Sequence, residues 1–224
     1  LPPSQDHKPV FDGNKGPNTG GMGAYCPAPV VDDAVLENVE RTIFKRLLKG
    51  LAKEGLSYRG VIYAGLMINE EGAFVIEFNA RFGDPETQAI LPVVDVDLTD
   101  LLVKASEGRL KQSRIVRASG WAVCVVLASK GYPGRYEKGK EITGLENIPK
   151  DRSVIIFHAG TSLKDGRLVT SGGRVLGVTG WGSTLREARR EAYDAARLID
   201  FDGKHMRTDI AVKGLERLER TGVI

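Results

Sequence analysis

The stretch AFVIEFNARFGDPE, residues 73–86, joins an apolar run to a series of acidic, amide and basic side chains. Its first seven residues alternate in a way that predicts a half-buried β-strand, because side chains along a strand point to opposite faces in turn. Glu77 and Asn79 then share one face with Val75. The other face carries the apolar side chains Phe74, Ile76 and Phe78.

Two oxygen-bearing side chains on one face of a strand can hold a cation. Glu77 and Asn79 are two residues apart, which corresponds to about 6–7 Å along a strand. A carboxylate and an amide oxygen suit Mg²⁺ or Mn²⁺, which take their remaining ligands from water and substrate phosphates. Arg81 is next on this face if the strand continues, and its guanidinium would suit a phosphoryl group. The alternative is a solvated strand edge on which Arg81 forms a surface ion pair.

The sequence before this strand predicts an antiparallel partner for it. GVIYAGLMIN, residues 60–69, has the pattern of a strand, and the Glu-Glu-Gly sequence at 70–72 provides the turn of a hairpin. Residues 32–55 have the apolar spacing of an amphipathic helix, which an aspartate at 32 or 33 caps and Gly55 ends.

The sequence after the strand predicts two short helices and then a linker. The first helix follows Asp84 and Pro85 and ends near Pro92, and the second covers residues 98–105. The polar, aperiodic run 108–119 is the best linker candidate.

Beyond the linker the pattern changes to strands punctuated by glycine. The predicted elements are strands over 120–129 and 154–160, a hairpin that turns at Asp165-Gly166, and a helix that a capping box at Thr184 opens and that runs through Ile199. We therefore expect an α+β protein of two domains, residues 1–112 and residues 113–224.

The opening segment is rich in glycine, with five glycines among residues 12–23. Backbone amides in such a loop can approach a ligand closely and form an anion-binding nest. The pattern matches neither the dinucleotide fingerprint nor the Walker-A loop, so a dinucleotide-dependent oxidoreductase is the least favoured function. A flexible surface loop is the alternative.

Composition limits the function further. The 224 residues are 42% hydrophobic and 27% charged, with a net charge of +3, which allows a sizeable core. No basic tract is interleaved with aromatics, so neither nucleic acid nor a membrane surface is expected as a partner. No signal peptide and no apolar run of about 18 residues is present, and we expect a cytoplasmic protein. Cys26 and Cys124 are expected to be buried thiols in a reducing compartment.

Six segments, in the same order, resemble the second half of the phosphoribosylamine–glycine ligase (glycinamide ribonucleotide synthetase) family of the ATP-grasp superfamily. They are PVFDGNKGPNTGGMGAYCPAPVV, YAGLMI, EFNARFGDPETQ, LASKGYPG, FHAGT and TSGGRVLGVT. The resemblance runs over essentially the whole chain. It implies the C-terminal part of an ATP-grasp domain, an antiparallel sheet with helices, followed by a small α+β domain.

The resemblance also implies an activity. ATP phosphorylates the glycine carboxylate, and the amine of 5-phosphoribosylamine attacks the acyl phosphate to give glycinamide ribonucleotide. Glu77 and Asn79 are then similar to the Mg²⁺ or Mn²⁺ ligands that bridge the ATP phosphates. Arg81 is similar to the catalytic cation that steadies the γ-phosphoryl group.

The resemblance assigns substrate contacts as well. The Gly-rich loop is expected to close over the glycine and the acyl phosphate, and its substrate-binding residues are Asp12, Asn18, Thr19, Gly20, Gly21 and Gly23. Asp84 and Glu86 are candidates for holding a substrate amine, although Asp84 would equally suit a helix cap. Arg174, after the turn 171–173, fits the phosphate of phosphoribosylamine, with a surface turn as the alternative.

Two features differ from the family pattern. The first part of the ATP-grasp module, with the lysine that holds the nucleotide, has no counterpart in these residues, and residues 60–67 lack the additional acid that many ATP-grasp ligases carry. The chain is therefore expected to act with the N-terminal half of the same enzyme. The alternative is a non-catalytic binding or assembly module that retains the fold.

Overall fold

The computed structural model describes residues 1–111, 120–148, 150 and 153–222. These residues form two compact units. The first unit contains Leu1–Ala28, Asp84–Val94 and the described residues from 120 onward; the second contains Pro29–Gly83 and the described residues from 95 to 111. The domain boundary expected between 112 and 113 lies outside the described residues, as does most of the expected linker.

The described strands and helices are numbered in chain order. The strands are β1 (Gln5–Asp6), β2 (Pro9–Phe11), β3 (Lys15–Asn18), β4 (Gly23–Cys26), β5 (Tyr63–Asn69), β6 (Gly72–Asn79), β7 (Trp121–Ser129), β8 (Val154–His158), β9 (Thr161–Lys164), β10 (Arg167–Thr170), β11 (Arg174–Gly182) and β12 (Lys204–His205). The α-helices are α1 (Asp33–Val39), α2 (Lys45–Lys53), α3 (Glu86–Ile90), α4 (Leu98–Ser106), α5 (Leu185–Leu198) and α6 (Val212–Thr221). The expected α+β class is confirmed.

The first unit is built on an antiparallel sheet with β7 near its centre. The strand order is β1-β4-β7-β11-β8, and β12 also pairs with the end of β7. The opening segment was expected to be a loop, but it contains four short strands, and β4 pairs with β7 across about a hundred residues of sequence. Glycine content alone does not reveal such long-range pairing.

Helix α5 covers this sheet through a surface of small residues. Ala188, Ala192 and Ala196 are fully buried and allow the helix to approach β11 closely. Thr184 caps the helix, since its hydroxyl oxygen accepts a hydrogen bond from the Glu187 amide at 3.1 Å, as the sequence predicts. The Glu187 carboxylate bonds back to Ser183, at 2.9 Å from its amide and 2.7 Å from its hydroxyl oxygen.

The second unit contains the predicted amphipathic helix. Helices α1 and α2 run together through one π-helical turn at Glu40–Phe44. The Asp32 carboxylate caps the start by accepting from the Val35 amide at 2.8 Å. Gly55, with φ of +69°, ends the helix in a left-handed conformation.

The β5–β6 hairpin is confirmed, but the faces of β6 differ from the prediction. Ile76 has no partner on β5, because Gly65 pairs with Glu77 and Leu66 pairs with Val75. This β-bulge reverses the alternation, so that Phe74 shares a face with Glu77, while Val75 shares the other face with Phe78. The strand was expected to be half-buried, yet its large apolar side chains are exposed. These are Phe74, Val75, Ile76 and Phe78.

The structure also bears on the two cysteines and on membrane-spanning helices. Cys26 and Cys124 are free and buried, as predicted. Among the described residues, no helix is both long enough and apolar enough to span a membrane.

The close packing between α5 and β11 predicts a large effect of a single methyl group. A Cβ atom at Gly180 would lie 2.3 Å from the Ala192 backbone nitrogen. We expect Gly180→Ala to lower the free energy of unfolding by about 1–3 kcal/mol, measured by urea denaturation. Gly50→Ala is the control, because nothing lies within 4 Å of a Cβ there. Equal stability of the two variants would contradict the packing described.

Candidate functional site

Strand β6 carries the two predicted metal ligands, Glu77 and Asn79, and places both on one face, as expected. Glu77 pairs with Gly65 and Asn79 pairs with Tyr63, and both partners lie on the same face of β5. A Cβ atom at Gly65 would lie 3.0 Å from Glu77 Cγ and 3.5 Å from Glu77 Oε1. The missing side chain of Gly65 therefore leaves space for the Glu77 carboxylate, which is exposed.

Arg81 is not on this face as part of a continued strand. Strand β6 ends at Asn79, so the condition under which Arg81 would share this face, a continued strand, is not met. The Arg81 side chain is exposed, and its Nη1 donates to the Phe82 carbonyl oxygen at 2.7 Å.

The donor set of β6 limits the kind of metal it fits. No group of three or more His, Cys, Asp or Glu side chains able to hold a metal occurs in the part of the chain that the structure describes. Glu77 and Asn79 supply one carboxylate and one amide oxygen. Such a pair fits a hard cation that keeps water and phosphate ligands, as Mg²⁺ does, and does not fit a closed zinc site.

The Gly-rich loop does not offer its central amides to a ligand. The amides of residues 19–22 each donate within the protein. Their acceptors, in order, are the Lys8 carbonyl (2.8 Å), the Tyr132 hydroxyl (3.0 Å), the Thr19 hydroxyl (2.9 Å) and the His7 carbonyl (2.9 Å). These four amides therefore do not form the anion-binding nest that the glycine pattern predicts.

The structure brings Gly20, Asp84 and Arg174 into direct contact. Arg174 Nη1 donates to the Asp84 carbonyl at 2.7 Å and to the Gly20 carbonyl at 3.2 Å, and Arg174 Nη2 lies 3.1 Å from Asp84 Oδ2. A Cβ atom at Gly20 would lie 3.0 Å from Arg174 Cζ, so a larger residue there would require the guanidinium to shift by a few tenths of an ångström. Asp84 does not cap α3. Its Oδ1 instead accepts from Gln88 Nε2 at 2.9 Å.

Gly21 fits into a narrow space between Pro85 and Asp6. Its φ is +123°, and a Cβ atom there would lie 2.4 Å from Pro85 Cδ and 2.7 Å from Asp6 Oδ1. Burial, together with the charge of the buried Glu86, raises the pKa of Asp6 to about 6. An ion pair with Lys8, at 2.7 Å, opposes this shift.

Asp12 is directed towards the segment after β12. Its carboxylate accepts from the Thr208 amide at 2.8 Å and from the Thr208 hydroxyl. Arg207, fully buried, donates to the Pro9 carbonyl at 3.0 Å and forms an ion pair of 2.7 Å with Asp209. Burial acts to raise the pKa of Asp209, but hydrogen bonds from Arg207 and the Gly13 amide outweigh it and hold that pKa below its usual value.

The remaining predicted loop residues have different environments. Asn18 is exposed at the end of β3. The Thr19 hydroxyl donates to the Lys8 carbonyl at 2.8 Å. Gly23 is buried in β4, and its carbonyl oxygen accepts from the His7 amide at 3.0 Å. Contact of these residues with a substrate stays a prediction.

Sequence reasoning missed two residues that hold the loop, Tyr132 and Arg207. Tyr132 belongs to the LASKGYPG motif, but nothing in that motif indicates a hydrogen bond to Gly20, 112 residues earlier. Arg207 looks like an ordinary surface arginine in the sequence. A polar contact across such a distance in sequence becomes visible only in the folded chain.

His7 is a buried and neutral histidine beneath the loop. Its side chain is 3% exposed, its Nδ1 lies 3.1 Å from the Gly23 carbonyl oxygen, and its Nε2 has no hydrogen-bond partner among the described residues. Burial, with a contribution from the Arg207 charge, lowers the pKa of His7 to about 4.

Comparison with known families first defines the class. Residues 1–87 match the family described as "Phosphoribosylglycinamide synthetase, ATP-grasp (A) domain". The biotin carboxylase domain of Hydrogenobacter thermophilus 2-oxoglutarate carboxylase, in complex with MgADP and bicarbonate, has a TM-score of 0.58 at 17% identity, covering 83% of this chain and 40% of that one. At that identity the likeness shows the fold alone. The chain carries the C-terminal part of an ATP-grasp domain, followed by an α+β region.

Closer relatives then define the family. Residues 122–213 match "Phosphoribosylglycinamide synthetase, C domain". The phosphoribosylamine–glycine ligase of Caldanaerobacter subterraneus is 49% identical over 208 residues, covering 93% of this chain and 49% of that protein. The Thermotoga maritima phosphoribosylamine–glycine ligase structure has a TM-score of 0.83 at 42% identity, covering 93% of this chain and 51% of that one. The chain belongs to the phosphoribosylglycinamide synthetase family, and it spans about half the length of the curated relatives it matches.

The environment of His7 predicts a pH-dependent stability. Since the pKa of His7 is about 4 in the folded chain and about 6.5 when unfolded, the unfolded state binds more protons between these values. Stability from this group is therefore present above pH 6.5 and is lost as the pH falls towards 4. We expect an NMR titration midpoint near 4 for the His7 ring.

The control for this titration is His7→Asn, which keeps a donor for the Gly23 carbonyl and does not titrate. The free energy of unfolding of this variant should not contain the decrease that His7 causes between pH 6.5 and pH 4. The comparison is needed because the raised pKa of Asp6 acts in the opposite direction over part of this range. A midpoint at or above 6 for His7 would contradict the buried environment.

Proposed function

We propose that the complete ligase containing this chain joins glycine to 5-phosphoribosylamine in an ATP-dependent reaction through glycyl phosphate. The products are glycinamide ribonucleotide, ADP and phosphate. Family membership supports the proposal, and the observation that carries it is the same-face pair of Glu77 and Asn79 at the end of β6. A non-catalytic module is not favoured, because the relatives at 49–50% identity are named as ligases.

Glu77 and Asn79 would hold Mg²⁺ or Mn²⁺. The metal would supply positive charge that lets an anionic carboxylate approach the ATP triphosphate. Gly65, opposite Glu77, supports this role because it leaves the carboxylate room to face a ligand. Arg81 is exposed just after the strand and would offer a second cation to the phosphoryl oxygens.

The Gly-rich loop would exclude water from the acyl phosphate. Its turn at Gly20 and Gly21 is fixed in the first unit, which supports a shielding role over an amide-donor role. Direct substrate contacts by Asp12, Asn18, Thr19 and Gly23 belong to this proposal. So does a contact of Arg174 with the substrate phosphate.

The other half of the enzyme would supply the adenine pocket and the remaining phosphate contacts. Support comes from the large apolar side chains that the β5–β6 hairpin exposes, because such side chains are available for contact with another part of the protein. The division of this chain at residues 112 and 113 is part of the proposal, as is a cytoplasmic location.

The role of Glu77 predicts a specific loss of activity. In the complete ligase, Glu77→Gln keeps the shape of the side chain and removes one negative charge, so we expect turnover to fall about 10²- to 10³-fold. The melting temperature without nucleotide should stay unchanged, because the carboxylate is exposed. Steady-state kinetics and thermal unfolding test both statements.

The matched control is Glu71→Gln, which removes an exposed carboxylate from the turn of the same hairpin. This variant should retain normal turnover. Near-normal turnover of Glu77→Gln would exclude the metal role, and unfolding of Glu77→Gln would show that its carboxylate is structural.

A second prediction concerns the 224-residue chain on its own. Because the adenine pocket is assigned to the other half, we expect this chain to bind MgATP no more tightly than about millimolar, which corresponds to roughly −4 kcal/mol. Isothermal titration calorimetry measures this directly. Micromolar binding would contradict the division of the nucleotide site.

A further inference from the structure

We propose that Tyr132 is a positioning residue that fixes the Gly20–Gly21 turn against the Asp84–Arg174 pair. The hydroxyl of Tyr132 accepts a hydrogen bond from the Gly20 amide at 3.0 Å. The functional consequence of this contact rests on the proposed function, in which the turn shields glycyl phosphate from water.

The turn needs an external support because of its composition. Two consecutive glycines leave the backbone more conformational freedom than any other pair of residues. The Gly20 amide and carbonyl are held separately, the amide by Tyr132 and the carbonyl by Arg174 at 3.2 Å. These contacts hold the two peptide units on either side of Gly20, so removing the amide contact would release the Thr19–Gly20 peptide unit at its N–H and leave the Gly20–Gly21 unit held at its carbonyl.

The ring of Tyr132 is itself firmly placed. It packs against the buried cluster of Val10, Met22 and Ala128. A Cβ atom at Gly173 would lie 2.3 Å from Tyr132 Cδ2, so the ring rests directly on the backbone that precedes Arg174. These contacts hold the hydroxyl in position, which identifies Tyr132 as a support for the turn.

Tyr136 provides a matched comparison. Its ring lies 6.4 Å from the Tyr132 ring in an edge-on arrangement. The Gly20 amide donates to the hydroxyl of Tyr132 and not to that of Tyr136. Removing this second hydroxyl therefore changes the same aromatic pair without changing the turn.

The first experiment measures the turn in the 224-residue chain. In Tyr132→Phe, hydrogen exchange of the Gly20 amide, followed by NMR, should become about three- to ten-fold faster, as expected for loss of one neutral hydrogen bond. The Met22 amide, which donates to the His7 carbonyl, should stay unchanged. Tyr136→Phe should leave both amides unchanged. Equal Gly20 exchange in Tyr132→Phe and the unaltered chain would overturn the positioning role.

The second experiment measures the consequence in the complete ligase. The unaltered enzyme should form ADP and glycinamide ribonucleotide in equal amounts. Tyr132→Phe should form more ADP than product, because water reaches the acyl phosphate, and should raise the KM for phosphoribosylamine about three- to ten-fold. A change in stability alone would leave the ratio of ADP to product at unity, and this result would overturn the positioning role.

A third variant moves the ring while keeping the hydroxyl. Gly173→Ala should displace Tyr132 and reproduce the excess of ADP, whereas Tyr136→Phe should not. Failure of the unaltered ligase to make any glycinamide ribonucleotide would reject the proposed function instead. Either normal Gly20 exchange or a normal ratio of ADP to product in Tyr132→Phe would reject the role of Tyr132.

Discussion

The buried central strand β7 is the constraint on which the organisation of the first unit depends. It pairs with β4, which follows the Gly-rich turn, with β11, which begins at Arg174, and with β12, which leads to the segment that binds Asp12. One strand therefore sets the relative positions of three segments that are far apart in sequence. Because all but the first of its residues are buried, β7 cannot shift its register without moving apolar side chains into solvent.

The ion pair between Asp84 and Arg174 affects whether either side chain can bind a charged ligand. Asp84 accepts from both terminal nitrogens of Arg174, so an anionic ligand that approached the same side of the guanidinium would compete with Asp84. Removing one partner of a shielded ion pair costs free energy unless the displaced charge reaches water. The Asp84 side chain is 47% exposed and that of Arg174 is 22% exposed, so Asp84 is the partner that can return to solvent. A phosphate role for Arg174 and an amine role for Asp84 are therefore linked through this pair.

Local patterns in the sequence predict most of the elements but few of the contacts that organise the loop. The helix capped by Asp32 and the β5–β6 hairpin follow from spacing and turn residues, and both are confirmed. The bulge at Ile76 has no local signal, since the alternation is unbroken in the sequence, and it reverses the face of Phe74. The bonds from Thr208 to Asp12 span 196 residues, beyond the reach of any periodic pattern.

The Gly20–Gly21 turn and the β5–β6 hairpin differ in how many contacts fix them within their own units. The Gly20–Gly21 turn has internal partners for its amides, and its neighbours include the buried cluster beneath Tyr132. Among the described residues, no third strand pairs with the β5–β6 hairpin, which contacts helix α1 and exposes large apolar side chains. Phosphoryl transfer requires reacting groups to be held in a narrow range of distances. In the proposed enzyme, contacts to this hairpin from beyond its two strands would therefore help to order the strand that carries Glu77 and Asn79.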